Sequence, residues 1–351
     1  GLFGPLVIDE PHPPFTYDRE EILLFNDWFL KTSEEILAEL VKPGAAMVEP
    51  MKKPGDESPG KMAGEMPRKM PEKMQMSGQP DVGDVPFESI LFNGRGRFTG
   101  DDDAPLAKVS VKRGEVVRLR LINGSTTYAL RFQIDGHRLT VVMADGAPIK
   151  PIEVDNLLIH VGERYDVLLT ADQSGAAWIR AATLAGGEGR AVLHYDDTPG
   201  AQPPREPAPW GGNGLKPGDL RSPSPVTLAE NPQEIRLRLG GSMMPYRWTI
   251  NDEEYPKAEP IRLKTGEQVR FVLENPTGMS HPFHLHGHYF HVLGAPDALN
   301  LTDPPQKDTV SVPVGGTLVL AWQATNPGHW FFHCHIEWHA ATGMARVVEI
   351  G

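Results

Sequence analysis

The chain has 351 residues, 40% of them hydrophobic, a formal net charge of −12 and a single cysteine. That length suggests two or three domains with cores of ordinary size. The acidic balance argues against a nucleic-acid partner, which selects a basic face, and one cysteine excludes an internal disulfide.

No run is long and apolar enough to cross a membrane as a helix, and no signal peptide is visible. The first residues, Gly1 to Gly4, include no initiator methionine, so a processed product or one piece of a larger protein is expected. With 36 glycines and 34 prolines, short alternating apolar runs read as strands joined by turns. A first strand is expected over residues 4–8, followed by a turn-rich stretch over 9–14. A second strand is expected over 21–25, leading into a short helical pattern near Ser33 to Leu40. From about Pro43 to Val85 the character changes to Pro, Gly, Lys and Glu, with seven of the chain's twelve methionines. This reads as a mobile loop or insertion. Met62, Met66, Met70 and Met74 recur every four residues, with Met47, Met51 and Met76 nearby. Pro67 and Pro71 interrupt any helix there. Thioethers are soft ligands that select Cu(I), so the segment is either a Cu(I)-gathering loop or a linker in which methionine is incidental. Residues from about 87 to 195 and from about 226 to 350 are strand-like. Between them, 198–224 is rich in Pro and Gly and reads as a linker.

The two strand-rich blocks repeat each other. Lys112, Gly114, Glu115, Val117 and Asn123 recur as Lys264, Gly266, Glu267, Val269 and Asn275, always 152 residues on. Gly136 and His137 match Gly287 and His288, and Trp178 matches Trp330. The repeat implies two copies of one β-sandwich. It also provides a control. Where the second copy has His284 and His286, the first has Gln133 and Asp135. Where the second has His333, Cys334 and His335, that alignment gives Ala181, Ala182 and Thr183. The fold does not need these histidines, so their presence calls for a chemical reason.

Nine of the thirteen histidines fall between His281 and His339. One cluster is His281-Pro282-Phe283-His284-Leu285-His286; the other is His333-Cys334-His335-Ile336-Glu337-Trp338-His339, followed by Met344. On a strand, residues two apart share a face. His284 and His286 therefore point one way, as do His333 and His335, while Cys334 points opposite to its neighbours. A blue copper site uses two His and one Cys in a trigonal plane with a weak axial Met. Cys334, His339 and Met344 stand five residues apart, and His281 is the natural fourth ligand. The remaining His284, His286, His333 and His335 face a second site, one peptide unit from the thiolate. A structural zinc site is the rival, but it would need only four ligands, fewer than are present. His12, His137, His160, His194 and His288 read as structural, and His291 and His329 as non-ligands.

Both clusters resemble the two C-terminal copper motifs of the multicopper oxidases, the family of laccases, ascorbate oxidase, ferroxidases and bacterial copper-resistance oxidases. Further likeness lies in residues 1–8, in Ile134-Asp135-Gly136-His137 and Gly162-Glu163-Arg164-Tyr165-Asp166, and in the chain from about 225 onward. The resemblance implies an all-β chain of tandem cupredoxin-like Greek-key β-sandwiches. Residues 1–17 would be the last strand of a first cupredoxin domain and a linker. Residues 18–200 would be a copper-free second domain with the methionine-rich insertion at about 43–85, 201–224 a linker, and 225–351 a third domain. It implies type 1 copper on His281, Cys334, His339 and Met344, type 2 copper on His284, and type 3 copper on His286, His333 and His335. Cys334 would carry electrons, and Glu337 would donate protons. The implied activity couples one-electron oxidation of a phenolic, Fe(II) or Cu(I) substrate to four-electron reduction of O2. The family's trinuclear centre takes eight histidines, of which four are in this chain. An N-terminal cupredoxin domain or companion chain is therefore expected to supply the rest. A periplasmic or extracellular location is implied as well. The competing expectation is a copper-binding or electron-transfer module without O2 chemistry. A copper nitrite reductase is disfavoured, because imidazoles on both sides of the thiolate suit a coupled copper pair.

Overall fold

The computed structural model describes residues 4–10, 12–42, 83–98 and 104–351. The expectation of a Cu(I)-gathering loop falls largely on residues 43–82, outside the described residues.

Alternation of β-branched and aromatic residues with polar ones builds four sheets, and each pair of sheets shares one core. In the first pair, one sheet runs Ser89–Phe92, Arg19–Trp28, Val116–Asn123, Arg164–Thr170, Leu139–Ala144, Ala147–Val154 in spatial order. Its partner runs Gly214–Leu215, Asn156–Ile159, Leu130–Ile134, Ala176–Thr183, Glu188–Tyr195, Lys108–Val111. Leu119 and Val167 of one face meet Phe132, Ile179 and Leu193 of the other in a fully buried cluster. The second pair repeats this order. One sheet runs Tyr246–Ile250, Gln233–Met243, Gln268–Glu274, Thr317–Gln323, Phe290–Gly294, Gln306–Lys307. The other runs Ile261–Leu263, Ala345–Ile350, Gly328–Cys334, His281–Leu285, Thr309–Val312. Phe271 and Leu320 meet Phe283, Phe332 and Val348 in its core. Each sandwich admits parallel pairings at matching places: Arg19–Trp28 with Val116–Asn123, and Gln233–Met243 with Gln268–Glu274.

Equivalent residues do equivalent work in the two copies. The Asn123 side-chain amide donates to Tyr128 O and Ile159 O, and its carbonyl accepts from Ser125 N. Asn275 donates to Met279 O, Val312 O and Pro313 O and accepts from Thr277 N. Gly114 and Gly266 adopt φ of 86° and 89°, left-handed values that favour glycine. The ladder corrects the alignment of the two copies by one residue, however. His284 pairs with His333 and Phe283 with Cys334, while Gln133 pairs with Arg180 and Phe132 with Ala181. Arg180, not Ala181, thus stands where the second copy has His333. Gln133 donates to Asp135, and Arg180 is paired with Asp135 and Glu188. The first copy fills the corresponding positions with an ion-pair network.

Two other expectations change. Residues 4–8 form no strand: Leu6 and Ile8 are 87% and 80% exposed, and no strand among the described residues offers them a ladder. The segment 201–224, read as a linker, is pinned along the first sandwich. Trp178 Nε1 donates to Pro204 O and Arg180 to Ala208 O. Trp210 lies 4.2 Å from the Arg180 guanidinium, and residues 214–215 add a short strand beside 156–157.

Helix α1, Ser33–Leu40, begins at a capping box: Glu35 N donates to Thr32 Oγ1, and Thr32 N to the Glu35 carboxylate. Its buried Ile36 enters the second core, not the first. Helix α2, Glu337–Ala341, follows Cys334 directly. Glu337 N donates to Thr126 O of the first sandwich at 2.9 Å.

Candidate metal centre

Strand alternation sorts the candidate ligands onto two faces. On His281–Leu285, His281, Phe283 and Leu285 are fully buried, while His284 faces the other way. On Gly328–Cys334, Phe332 and Cys334 join the core, and His333 lies opposite, beside His284 in the ladder. The core side therefore holds His281 and Cys334. Helix α2 brings back His339, also fully buried. Among the described residues, these three alone among His, Cys, Asp and Glu groups bring three ligand atoms within 4.8 Å of one another. Cys334 Sγ lies 3.8 Å from His281 Nδ1 and 3.6 Å from His339 Nδ1, and the two nitrogens are 3.1 Å apart. Ligand bonds of about 2.0–2.3 Å at angles of roughly 100–120° place donors about 3–4 Å apart, so the three residues fit one ion of the copper type.

Each imidazole has a polar neighbour at its far nitrogen, the position from which a partner fixes the tautomer of a metal-bound histidine. His281 Nε2 shares a 2.8 Å hydrogen bond with Thr277 Oγ1. His339 Nε2 lies 2.9 Å from the buried Asp84 carboxylate, which also accepts from the Tyr246 hydroxyl. Trp248 packs on the His339 ring at 3.9 Å between centroids and meets His281 edge-on at 5.2 Å. Burial, with His339 adding to it, holds His281 well below the ordinary imidazole range, and burial pushes the Cys334 thiol up. A neutral imidazole is ready to bind a cation, whereas the thiolate needs the cation's charge to form in this dry site. Met344 is fully buried, and its backbone closes the loop: Met344 N donates to His339 O and Cys334 N to Met344 O.

The opposite face gathers the other four histidines. Ring centroids are 4.7 Å apart for His284 and His286, 5.3 Å for His286 and His333, 5.6 Å for His333 and His335, and 5.9 Å for His284 and His335. His286 Nε2 and His333 Nε2 approach to 3.2 Å. His333 Nδ1 is tied to Cys334 O at 2.8 Å. His284 Nδ1 is tied to Asp308 O at 3.0 Å and Thr309 Oγ1 at 3.1 Å. Burial lowers His333 to about 3 and His335 to about 4. His286 is exposed, so this face opens to the surface. Glu337 is exposed on the first turn of α2.

Two of the histidines read as structural, His137 and His288, have other partners. His137 bridges Asp135 O at 2.9 Å and the Tyr195 hydroxyl at 2.8 Å. His288 bonds His286 O and accepts from Asn326 N. Sequence reasoning missed Asp84, Thr277 and Asp308, which orient the imidazoles. Only Thr277 left a signal: with Asn275 it forms a short Asn-x-Thr turn of the kind that local side-chain bonding favours. Asp84 and Asp308 act across long stretches of chain, and no local pattern marks them.

Comparison with known proteins agrees with this chemistry. Residues 229–351 and 64–198 each match a family described as multicopper oxidase. The chain is 32% identical to multicopper oxidase MmcO of Mycobacterium tuberculosis, over 99% of this chain and 66% of that protein. It is also 32% identical to Laccase-4 of Thanatephorus cucumeris, over 96% of this chain and 65% of that one. It thus spans just under two thirds of either relative. Among solved structures, Fet3p, a multicopper oxidase that functions in iron import, superposes with a TM-score of 0.77 at 19% identity, covering 98% of this chain and 68% of that one. An L499M mutant of the laccase from B. aclada superposes with a TM-score of 0.76 at 25% identity, covering 99% and 66%. The sandwiches are of the cupredoxin type seen in such structures. With a buried His–Cys–His set on one face of a strand pair and four imidazoles on the other, the chain belongs to the multicopper oxidase family, and copper is the metal its ligands serve.

Proposed function

We propose that this chain carries the electron-accepting copper site and half of the oxygen-reducing centre of a laccase-like multicopper oxidase. The observation that carries the reading is the position of Cys334, whose thiol joins one ligand set while its two flanking imidazoles join the other. Copper supplies one-electron redox chemistry at the first site and the reduction of O2 to water, with four electrons and four protons, at the second. His281, Cys334, His339 and Met344 are the type 1 ligands. His284 serves type 2 copper, and His286, His333 and His335 serve type 3.

Cys334 is covalently continuous with His333 and His335, and the 2.8 Å contact from His333 Nδ1 to Cys334 O adds a shorter route between the faces. Asp84 and Thr277 hold the far nitrogens of His339 and His281, keeping Nδ1 of each aimed at the thiol. Trp248 and the surrounding core exclude water. Glu337, exposed to bulk water and two residues past His335, is the proposed proton donor. Phenols, Fe(II) or Cu(I) are the proposed reducing substrates. The remaining four imidazoles come from an N-terminal cupredoxin domain or companion chain, of which residues 1–17 correspond to the end. Residues 18–200 and 225–351 correspond to the second and third domains, and 201–224 to the connection between them. Family likeness favours the periplasm or the cell exterior.

The test is copper counting with spectroscopy. Copper-loaded protein should show an intense visible copper–thiolate band, absent in Cys334→Ser, and should take up O2 only when the other four imidazoles are supplied. A band that survives in Cys334→Ser would sink the type 1 assignment. One blue copper per chain, with no O2 uptake even beside an added N-terminal cupredoxin domain, would favour the electron-transfer module instead.

A further inference from the structure

We propose that the outer face of the second sandwich carries a binding site for a small organic carboxylate. Adjacent strands place Arg270 opposite Ala321, Ala321 opposite His291, and His291 opposite Gln306. The alternate residues Val269, Phe271, Leu320, Trp322 and Phe290 fill the core, so strand alternation turns Arg270, Ala321 and His291 outward. Ala321 is the smallest of the row, and its methyl leaves a hollow between the arginine and the histidine. Leu228 and Pro232, on the segment that precedes the strand Gln233–Met243, wall this hollow into a cleft of about 400 Å³. That lies within the roughly 300–1,000 Å³ of small-molecule sites.

Charge distinguishes the cleft from the rest of the surface. The chain carries 46 acidic residues, yet no Asp or Glu is among the residues lining this cleft. Arg270 has no ion pair among the described residues, and its Nε is buried without a hydrogen-bond partner. Glu234 stands beside it across the ladder, but its carboxylate is 2.9 Å from Arg236. Arg270 is half-buried, and a guanidinium N–H buried without an acceptor is costly; a carboxylate relieves it through the bidentate fork that guanidinium presents. The single positive charge suits a monoanion better than a phosphate. Ala321, Leu228 and Pro232 offer its carbon body an apolar bed, and the amides of Gln268, Gln306 and Gln323 add polar contacts at the edge.

Isothermal titration of the full chain with sodium benzoate tests the site. Saturable one-to-one binding is expected, weakened by added salt and weakened by about tenfold or more in Arg270→Gln, which loses the charged fork. Ala321→Leu fills the hollow and keeps the arginine, so it should also lose binding while melting as a folded protein. Benzylamine, of similar shape and opposite charge, should not bind. No saturable binding of benzoate, acetate or citrate would overturn the proposal. So would unchanged benzoate affinity in both variants, or benzylamine binding as tightly as benzoate.

Discussion

His333 and His335 are neutral in the folded protein because burial removes the water that would solvate their charge, and the neighbouring imidazoles add to the effect. Unfolded histidines titrate near 6.5, whereas these two are lowered to about 3 and about 4. Between those values the unfolded chain binds protons that the folded one does not, so stability rises with pH across the window and is lost as pH falls from about 6.5 toward 4. Each group contributes a slope of up to about 1.4 kcal/mol per pH unit. Urea titrations of the metal-free protein at pH 4.5, 5.5 and 6.5 should show that loss, and His333→Gln should flatten it. At this scale the sorting of the histidines and the cysteine onto two faces was legible in the sequence, because strand alternation is a local rule and the two clusters obey it. The residues that orient them were not: Asp84 reaches His339 from 255 positions away.

At the scale of the element, the repeated corner asparagine shows how one scaffold is adapted to two tasks. Asn123 and Asn275 both stitch a strand end to the loop that follows, but only Asn275 is connected to a candidate ligand: Thr277 Oγ1 donates to its carbonyl and also meets His281 Nε2. Replacing either asparagine by alanine strips hydrogen bonds from buried backbone carbonyls, at a cost of about 2–4 kcal/mol. Chemical denaturation should show a similar loss in both variants. The visible band should shift or weaken only in Asn275→Ala, where the His281 anchor loosens; a spectral change of equal size in Asn123→Ala would refute the distinction. The repeat of one β-sandwich was readable from the nearly constant offset. The register was not, because Trp178 and Trp330 keep the 152-residue spacing while the ladder beside them is displaced by one. Residues 4–8 failed as a strand for another reason: a short apolar run specifies a strand only where a neighbour offers ladder partners, and none among the described residues does.

Across the whole molecule, a buried charge joins the sandwiches. Lys307 of the second is 2% exposed and reaches Asp145 at 3.1 Å and Glu163 at 3.2 Å in the first, with its ammonium over the Tyr165 ring. Burial opposes its charge, but the two carboxylates outweigh that and hold the lysine protonated. Beside it Arg164 makes a fork to Asp308 with both contacts at 2.6 Å, and Asp308 supports His284. Lys307→Met would leave two buried carboxylates short of their cation, so a loss of about 3–5 kcal/mol is expected in urea unfolding. A change below about 1 kcal/mol would mean that water reaches the pair and screens it. Nothing in the sequence around Lys307 announces this contact, since its partners lie more than 140 residues upstream.

Gly162 has φ of 82°, and a Cβ built there would stand 2.4 Å from the His335 ring. The backbone of the metal-free sandwich is thus in direct touch with an imidazole of the metal-bearing one. With that spacing, a small slide of one sandwich over the other would have to tilt His335 or open a gap beside it. With copper held on that face, the spectrum of the centre would be expected to shift with mechanical slip between the two sandwiches.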